Sequence, residues 1–317
     1  MGFQYVKNDI GYQFQNIPSP YKQNFRYEFS VTGVSQNEII RLRNDGKLTD
    51  RDVEIAKFLF THTFATAEQI SDYLDGQGER IRNRLEHLVK LRVLNSFFLA
   101  EVDMKINTPL RDALTIYCLD FGGKYLVSRY GGMDTSDWYS TVNMKGADLI
   151  AKDLIATEFF VNLHKSSGSL LFHYTARPQM RAGRTHISPA FEFGLNASLL
   201  RKYLVGEIVF DGEEAITFRE RVQKLESLLN TNAWRKYYVD VEEPPFLIIL
   251  AENDVVARNA ASVVNRATEI ENKKVLLTTI DRMHTPLYEK GAFLIYDPET
   301  NKLRKKPACN KSFVLIA

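Results

Sequence analysis

The sequence predicts a protein of mixed α and β structure built as two domains, and three observations lead to this. The first is a run of three short helical patterns followed by two strand-like segments between Leu48 and Tyr130. The second is the region after residue 145, in which strands alternate with amphipathic helices as in an α/β or α+β layer domain. The third is the length, because 317 residues can bury two cores.

The three helical patterns are marked by their starts and stops. The first begins at Thr49 or Asp50, either of which can accept hydrogen bonds from the free amides of a first turn. Thr66 can cap a second, shorter helix, which ends in the turn Asp75–Gly78. A third helix is predicted at Glu79–Leu91. Its apolar stripe consists of Ile81, Leu85, Leu88 and Leu91.

Two strand-like segments follow, at Val93–Val102 and Ala113–Phe121, and both are rich in aromatic and aliphatic residues that favour strands. The loop between them carries Lys105 and Arg111. Three helices followed by such a hairpin give the order of a winged helix-turn-helix, in which the third helix enters the major groove of DNA. This domain is predicted to cover residues 48–132.

The polar face of the third helix carries side-chain types that suit DNA. Arginine and asparagine can make paired hydrogen bonds to guanine and adenine, and lysine can hold phosphates. The predicted contact residues are Arg80, Arg82, Asn83, His87, Lys90 and Arg92, with Lys105 and Arg111 in the wing. The alternative is an ordinary solvated helix face, which Glu79 and Glu86 favour because carboxylates repel the DNA backbone.

Composition narrows the remaining possibilities. Lys and Arg number 41 against 39 Asp and Glu, so the net charge is only +2 and any DNA affinity must come from local patches. Cys118, Cys309 and the six scattered histidines show no metal-ligand spacing, and no cofactor is expected. An apolar run of membrane length, a signal peptide and a phosphate-binding glycine loop are all missing. We expect a cytoplasmic protein that does not interact with membranes.

Residues 1–47 form an arm in which aromatic side chains stand among polar ones. So many aromatics argue against a simple disordered tail. We favour packing on the body of the protein or on a second copy in a homodimer, because burial is the commoner use of aromatic side chains. The alternative is stacking and charge contact with nucleic acid, through Tyr21, Lys22, Arg26 and Tyr27.

The second domain is predicted at residues 145–300, after a linker at 133–144 and before a basic tail at 301–317. The predicted helices lie at residues 145–164, 216–229 and 255–272. The predicted strands of its mixed sheet lie at residues 170–174, 189–195, 204–210, 246–251, 275–279 and 292–296. A loop between two of these strands carries Arg177, Arg181 and Arg184, and it is interpreted equally well as a phosphate-binding loop or as a solvated hairpin.

Three segments of the first domain resemble the replication-relaxation family: Leu48–Asp52, Phe64–Ile70 and Arg82–Leu88. The resemblance extends in layout over about residues 48–296, and only its winged-helix motif is specific. Members occur on bacterial plasmids, integrative elements and phages, and pair a winged helix with a domain similar to the PD-(D/E)XK nuclease fold. The resemblance implies a role in plasmid DNA relaxation, replication or conjugative transfer. It also implies partners such as a relaxase, a replication initiator or another plasmid-encoded protein.

That nuclease fold uses a helix glutamate, an aspartate after a proline on one strand, and a Glu-x-Lys on the next, which together hold a metal ion that activates water. Glu158 lies on the corresponding helix. The other two motifs read Pro189-Ala190 and Glu207-Ile208-Val209, so the aspartate and the lysine are missing. Glu192 could complete a site only if it pointed inward. We therefore expect a nuclease-like fold without nuclease activity.

The expected function is that of a non-catalytic protein of a mobile element that binds double-stranded DNA. One alternative is a transcriptional regulator with a winged helix, which the sequence does not separate from the first. A second is a metal-dependent DNA nuclease that uses Glu158, Glu192 and Glu207. A third is a protein-interaction module, since winged helices also bind proteins.

Overall fold

The computed structural model has a mixed α+β fold with several sheets. The residues that it describes are 5–8, 11–14, 21–29, 34–76, 78–101, 114–197 and 200–307. Two compact units form, the first mainly from the described residues between 21 and 161 and the second mainly from those between 162 and 307. No helix among the described residues is long and apolar enough to cross a membrane.

Helices dominate the first unit. Within its described residues they are α1 (Gln36–Asn44), α2 (Asp50–His62), α3 (Ala67–Tyr73), α4 (Gly78–Lys90), α5 (Phe121–Tyr130) and the larger part of α6 (Ala147–Ser167). Its strands are β3 (Tyr21–Phe25), β4 (Ala65–Thr66), β5 (Leu94–Glu101) and β6 (Ile116–Leu119). They form an antiparallel sheet in the order β3-β5-β6-β4. A separate two-stranded sheet pairs β1 (Tyr5–Asn8) with β2 (Gly11–Phe14).

The predicted starts of the first two helical patterns are confirmed by their caps. Asp52 accepts a hydrogen bond from the backbone amide of Thr49 at 2.6 Å, at the start of α2. Thr66 accepts one from the Gln69 amide at 3.2 Å, and Gln69 Oε1 accepts one from the Thr66 amide at 3.0 Å. These reciprocal bonds satisfy amides that have no partner inside the helix, so each helix begins where its cap stands.

The N-terminal arm contains a helix that the sequence pattern did not predict. Ser35 caps α1 by accepting a hydrogen bond from the Glu38 amide at 3.2 Å, and Ile39 and Leu42 are buried. The spacing of Ser35 and Glu38 is a known helix-start pattern. Only two buried positions follow it, which is too short a stripe to indicate a helix by periodicity.

The preference for packing of the arm is confirmed for the residues of β3. This strand pairs with β5, and Phe25 lies opposite Phe97 with ring centroids 4.9 Å apart. Gln23 donates a hydrogen bond to the carbonyl oxygen of Asn143 at 2.7 Å. The arm is thus an edge strand of the first unit from Tyr21 to Phe25.

The segment predicted as a linker, residues 133–144, is a packed part of the first unit. Trp138 is buried in its core, and Lys124 donates a hydrogen bond to the Trp138 carbonyl oxygen at 3.0 Å. Asn143 donates to the carbonyl oxygen of Leu119 at 2.9 Å. The observed division between the units falls later, after Val161 within α6. The division lies later in the chain than the predicted linker because Val161 packs in the core of the first unit.

The second unit is built on a mixed sheet. Its strands are β7 (Leu171–Ala176), β8 (Met180–Ala182), β9 (Thr185–Ile187), β10 (Phe191–Ala197), β11 (Leu200–Val209), β12 (Phe246–Ala251), β13 (Val275–Thr279), β14 (Leu294–Asp297) and β15 (Lys302–Lys305). Seven of them are ordered β15-β14-β13-β12-β11-β10-β7, with β11, β12 and β13 parallel and the other pairs antiparallel.

Two helices, α7 (Ala215–Leu229) and α8 (Asp254–Ala267), pack on one face of this sheet. The core between them contains Val205, Leu247 and Leu277 from the three parallel strands. Two short elements differ from the sequence-based expectation. The basic loop after β7 contains the hairpin β8–β9, and the first part of the predicted basic tail is the strand β15.

Candidate nucleic-acid interface

Helix α4 is held in one orientation by its apolar stripe and by one ion pair. Ile81, Leu85 and Leu88 are buried in the core of the first unit. Arg84, on the next face of the helix, donates from Nε to Oδ1 of Asp52 at 2.7 Å. Burial alone would raise the pKa of the Asp52 carboxyl, but hydrogen bonds from Arg84 and Thr49 outweigh it and lower that pKa. The ion pair therefore stays charged at neutral pH and joins α4 to α2.

A stripe of four exposed polar side chains runs along α4 and forms the candidate interface. It consists of Arg80, Asn83, His87 and Lys90. Residues three, seven and ten positions apart lie on one face of a helix. Within the part of the chain that the structure describes, no ion pair or side-chain hydrogen bond engages any of the four. Their hydrogen-bonding groups are directed to solvent and are available to a ligand. We call this set the α4 stripe.

Two other predicted contact residues are engaged by the protein itself. Arg82 forms an ion pair with Glu68 on α3 while its side chain remains 63% exposed. Arg92, just after α4, donates from Nε to Oδ2 of Asp120 at 2.6 Å and also to the carbonyl oxygen of Glu28 at 2.8 Å. Arg92 therefore has a structural role, because its guanidinium connects Glu28 of the arm to Asp120 at the end of β6. The phosphate contact predicted for it stays a prediction.

The carboxylates beside the α4 stripe differ in their surroundings. Glu86 forms an ion pair with Arg26 of the N-terminal arm, which compensates its charge. The Tyr117 hydroxyl also approaches Glu86, at 3.4 Å. Glu79 is exposed at the first turn of α4, where the positive end of the helix favours a negative charge. The repulsion expected between Glu86 and a DNA backbone is thus reduced.

Of the predicted wing, the structure describes only the strands β5 and β6. In the β5–β6 pair, Leu94 lies opposite Leu119 and Phe97 opposite Ile116. The predicted contact residues Lys105 and Arg111 lie outside the described residues.

The three carboxylates of the nuclease comparison have separate partners. Glu158 belongs to the first unit, where it is buried and accepts a hydrogen bond from Nε2 of Gln69 at 3.1 Å. Glu207, on β11, accepts one from Nε of Arg221 at 2.8 Å. Among the described residues, no group of three or more His, Cys, Asp or Glu side chains is arranged to hold a metal ion.

The side chain of Glu192 points into the protein. This orientation is the condition that the sequence analysis set for Glu192 to complete a nuclease site. It is 7% exposed and accepts a hydrogen bond from the Tyr238 hydroxyl at 2.5 Å. Its other oxygen lies 3.0 Å from Nε2 of His173. Burial and the neighbouring carboxylate raise the pKa of the Tyr238 hydroxyl, which keeps it a proton donor. Glu192 is thus occupied by a hydroxyl and an imidazole.

The basic loop of the second unit takes a defined shape. Arg181 lies on β8 and Arg184 lies in the turn before β9, and both side chains are exposed. Arg177 precedes the hairpin, is half-buried and has a positive φ of 46°. The segment forms a hairpin, because Gly183, with φ of 59°, allows a tight turn between the two strands. Its phosphate-binding interpretation stays a prediction.

The chain matches no protein-family model, no curated protein and no solved structure. The three segments on which the family expectation was based all lie in the first unit. Leu48–Asp52 leads into α2, Phe64–Ile70 covers β4 and the start of α3, and Arg82–Leu88 is the middle of α4. The pair of Asp52 and Arg84 joins the first of these segments to the last.

Proposed function

We propose that the first unit is a winged helix-turn-helix that binds double-stranded DNA and places α4 in the major groove. The order α2, α3, α4, β5 and β6 supports this, since a helix-turn-helix presents its last helix for recognition. The α4 stripe is the observation that carries the proposal. Its four side chains are solvent-directed and three of them, Arg80, Asn83 and Lys90, are of types that recognise bases or phosphates.

The stripe has a size and order that suit a groove. Arg80 and Lys90 are ten residues apart, so the stripe is about 15 Å long, close to the width of the major groove. Arg80 and Asn83 lie in the N-terminal half of the helix, the half that contacts base edges in helix-turn-helix proteins. Lys90 at the other end would hold a phosphate. His87 lies between them and can donate or accept a hydrogen bond.

We propose further that the protein acts without catalysis, in the cytoplasm, on DNA of a mobile element. Its role would be in plasmid replication, DNA relaxation or conjugative transfer, with a relaxase or replication initiator as partner. Support for the absence of catalysis comes from the second unit, where Glu192 and Glu207 are engaged by Tyr238 and Arg221. A nuclease would need these carboxylates to bind a metal ion.

The experiment first selects a preferred duplex from a randomised pool and then measures its affinity by fluorescence anisotropy. The variant Arg80→Ala/Asn83→Ala is expected to bind about 10- to 100-fold more weakly, since a paired base contact contributes about 1–3 kcal/mol. Arg129→Ala is the matched control, because Arg129 is an exposed arginine on α5 away from the stripe. Circular dichroism establishes that each variant is folded.

Two results would contradict the proposal. Unchanged affinity of the stripe variant, or no duplex selected at all, would favour a protein-interaction module instead. Nicking of plasmid DNA that depends on Mg²⁺ and is lost in Glu207→Ala would favour the metal-dependent nuclease. A transcriptional regulator would share the stripe result and would be recognised by the position of the selected sequence in a promoter.

A further inference from the structure

The hairpin β8–β9 directs its apolar and its basic residues to opposite faces. Met180 pairs with Ile187, and both are 2% exposed in the core of the second unit. Arg181 pairs with His186, and both are exposed. Directly opposed residues of an antiparallel pair point to the same face, and neighbours along the strand alternate. The buried pair therefore fixes the hairpin and turns the basic pair outward.

A 3-10 turn at Asn232–Lys236 adds two further basic residues beside this hairpin. Trp234 is buried in the same core as Met180, and Arg235 and Lys236 are exposed. The backbone amide of Arg181 donates a hydrogen bond to the Tyr237 hydroxyl at 2.7 Å, across 56 residues of sequence. The turn and the hairpin are thus held side by side, although they are distant in the chain.

The basic surface formed in this way consists of Arg181, Arg184, His186, Arg235 and Lys236. In the described part of the chain none of these five side chains is in an ion pair. The carboxylate that follows the turn, Asp240, is already paired with Arg201. Two other exposed arginines of this unit have acidic partners, Arg201 with Asp240 and Arg304 with Asp297. The charge of the surface is therefore not compensated from within the protein.

We propose that this surface of the second unit binds the phosphate backbone of double-stranded DNA. Guanidinium groups suit phosphate because they donate two parallel hydrogen bonds and remain charged at any physiological pH. Arg235 lies over the Trp234 ring, 4.8 Å from its centroid, which restricts its motion. The contact reads no sequence, because phosphates carry none. The inference rests on the proposed function in taking duplex DNA as the ligand, and it adds a second contact surface to the α4 stripe.

The test measures the affinity of the full chain for a duplex of random sequence between about 50 and 300 mM KCl. The surface variant is Arg181→Gln/Arg184→Gln/Arg235→Gln/Lys236→Gln. The control removes the same number of charges from the exposed faces of α7 and α8, as Arg219→Gln/Lys224→Gln/Arg258→Gln/Arg266→Gln. The slope of log affinity against log salt concentration is expected to become shallower by about 0.9 for each phosphate that the variant no longer neutralises. At low salt, the affinity of the surface variant is expected to be at least tenfold lower than that of the control.

A second variant with a single substitution tests the inference independently of whether the fourfold variant folds. Arg184→Glu changes a single exposed side chain in the turn and is expected to weaken binding in the same direction. Equal affinity and equal salt slope in the surface variants and the control would overturn the inference. If Arg80→Ala/Asn83→Ala still abolished specific binding in that case, the proposed function would stand alone. Absence of binding to any duplex would overturn both.

Discussion

Arg84 on α4 donates from Nε to Oδ1 of Asp52 on α2 at 2.7 Å, and Asp52 is fully buried. The same guanidinium donates to the carbonyl oxygen of Lys47 at 2.8 Å. Because Arg84 lies off the α4 stripe, the ion pair holds the helix without using a side chain that DNA would need. A carboxylate that has no access to solvent thus contributes to the orientation of the stripe, together with the buried apolar side chains of α4.

Replacing Arg84 with methionine is expected to destabilise the protein by about 3 kcal/mol, because the Asp52 carboxylate would stay buried without its cation. Urea denaturation measures the change. The double variant Arg84→Met/Asp52→Asn should recover part of the stability. Arg41→Met, which removes an exposed arginine paired with Glu38, is the control and should leave stability unchanged. Equal effects of Arg84→Met and the control would show that the buried pair has no special role.

The close approach of α5 to β5 and β6 leaves no room for a side chain at Gly123. A Cβ atom there would lie 2.4 Å from the Val93 carbonyl oxygen and 2.5 Å from Cδ1 of Leu119. Gly123→Ala should therefore lower the free energy of unfolding by about 1–3 kcal/mol. Gly78→Ala is the control, since nothing lies within 4 Å of its Cβ position. Thermal melting of both variants gives the comparison, and similar melting temperatures would contradict the tight packing at α5.

His62 should make stability depend on pH. Its ring packs between Phe58 and Phe160, with centroids 4.5 and 4.4 Å away, and burial lowers its pKa from the ordinary 6.5 to about 3. Below pH 6.5 the unfolded chain takes up a proton at this residue and the folded chain does not, so stability falls as the pH drops towards 3. The decrease is about 2 kcal/mol between pH 6.5 and 5.

Denaturation at several pH values would measure this dependence in the wild type and in His62→Phe. The phenylalanine keeps the aromatic contacts and cannot bind a proton, so its stability should fall less between pH 6.5 and 5. The comparison uses the pH dependence and not the absolute stability, because the new ring differs in shape. Parallel curves for the two proteins would show that His62 is charged in the folded state.

Two interpretations of Glu207, as the partner of Arg221 in an ion pair and as a metal ligand, predict different effects of mutation and of Mg²⁺ on stability. Its carboxylate is buried and accepts a hydrogen bond from Arg221 at 2.8 Å, so Glu207→Gln should cost about 1.5–3 kcal/mol. Mg²⁺ should not change the melting temperature of the wild type. If Glu207 instead belonged to a cluster of carboxylates without a bound metal ion, Glu207→Gln would increase the stability. Adding Mg²⁺ would then raise the melting temperature of the wild type.

Elements with strong local signals were predicted closely from the sequence. The strands β12 and β13 have the predicted bounds, because β12 is a continuous apolar run before Glu252 and β13 consists of apolar residues and two threonines that favour strands. The cap at Thr66 places the start of α3 correctly. For the hairpin β8–β9 the sequence offers a hairpin only as one of two interpretations and predicts no strand bounds, since strands of three residues show too little alternation to be recognised. What fixes it is the burial of Met180 and Ile187 against distant parts of the chain.

The candidate site was predicted less completely than the fold. The sequence indicates which residues of α4 are polar, and Arg80, Asn83, His87 and Lys90 follow from that pattern. Which arginines have acidic partners depends on contacts across the fold. Arg82 pairs with Glu68, 14 residues away, and Arg92 with Asp120, 28 residues away. Helical periodicity carries no information about such pairs, so it does not predict that the two arginines are engaged within the protein, and their contacts with DNA stay predictions.

The charged strand β15 has a consequence for how the protein behaves at high concentration. It is the last strand at one side of the seven-stranded sheet among the described residues, and Lys302, Arg304 and Lys305 are exposed along it. A bare sheet edge is a template on which a strand of another molecule can pair. Arg304 is paired with Asp297, but Lys302 and Lys305 have no ion pair among the described residues, so copies of this strand are expected to repel one another. Neutralising Lys302 and Lys305 would remove this repulsion and leave the interior of the sheet intact.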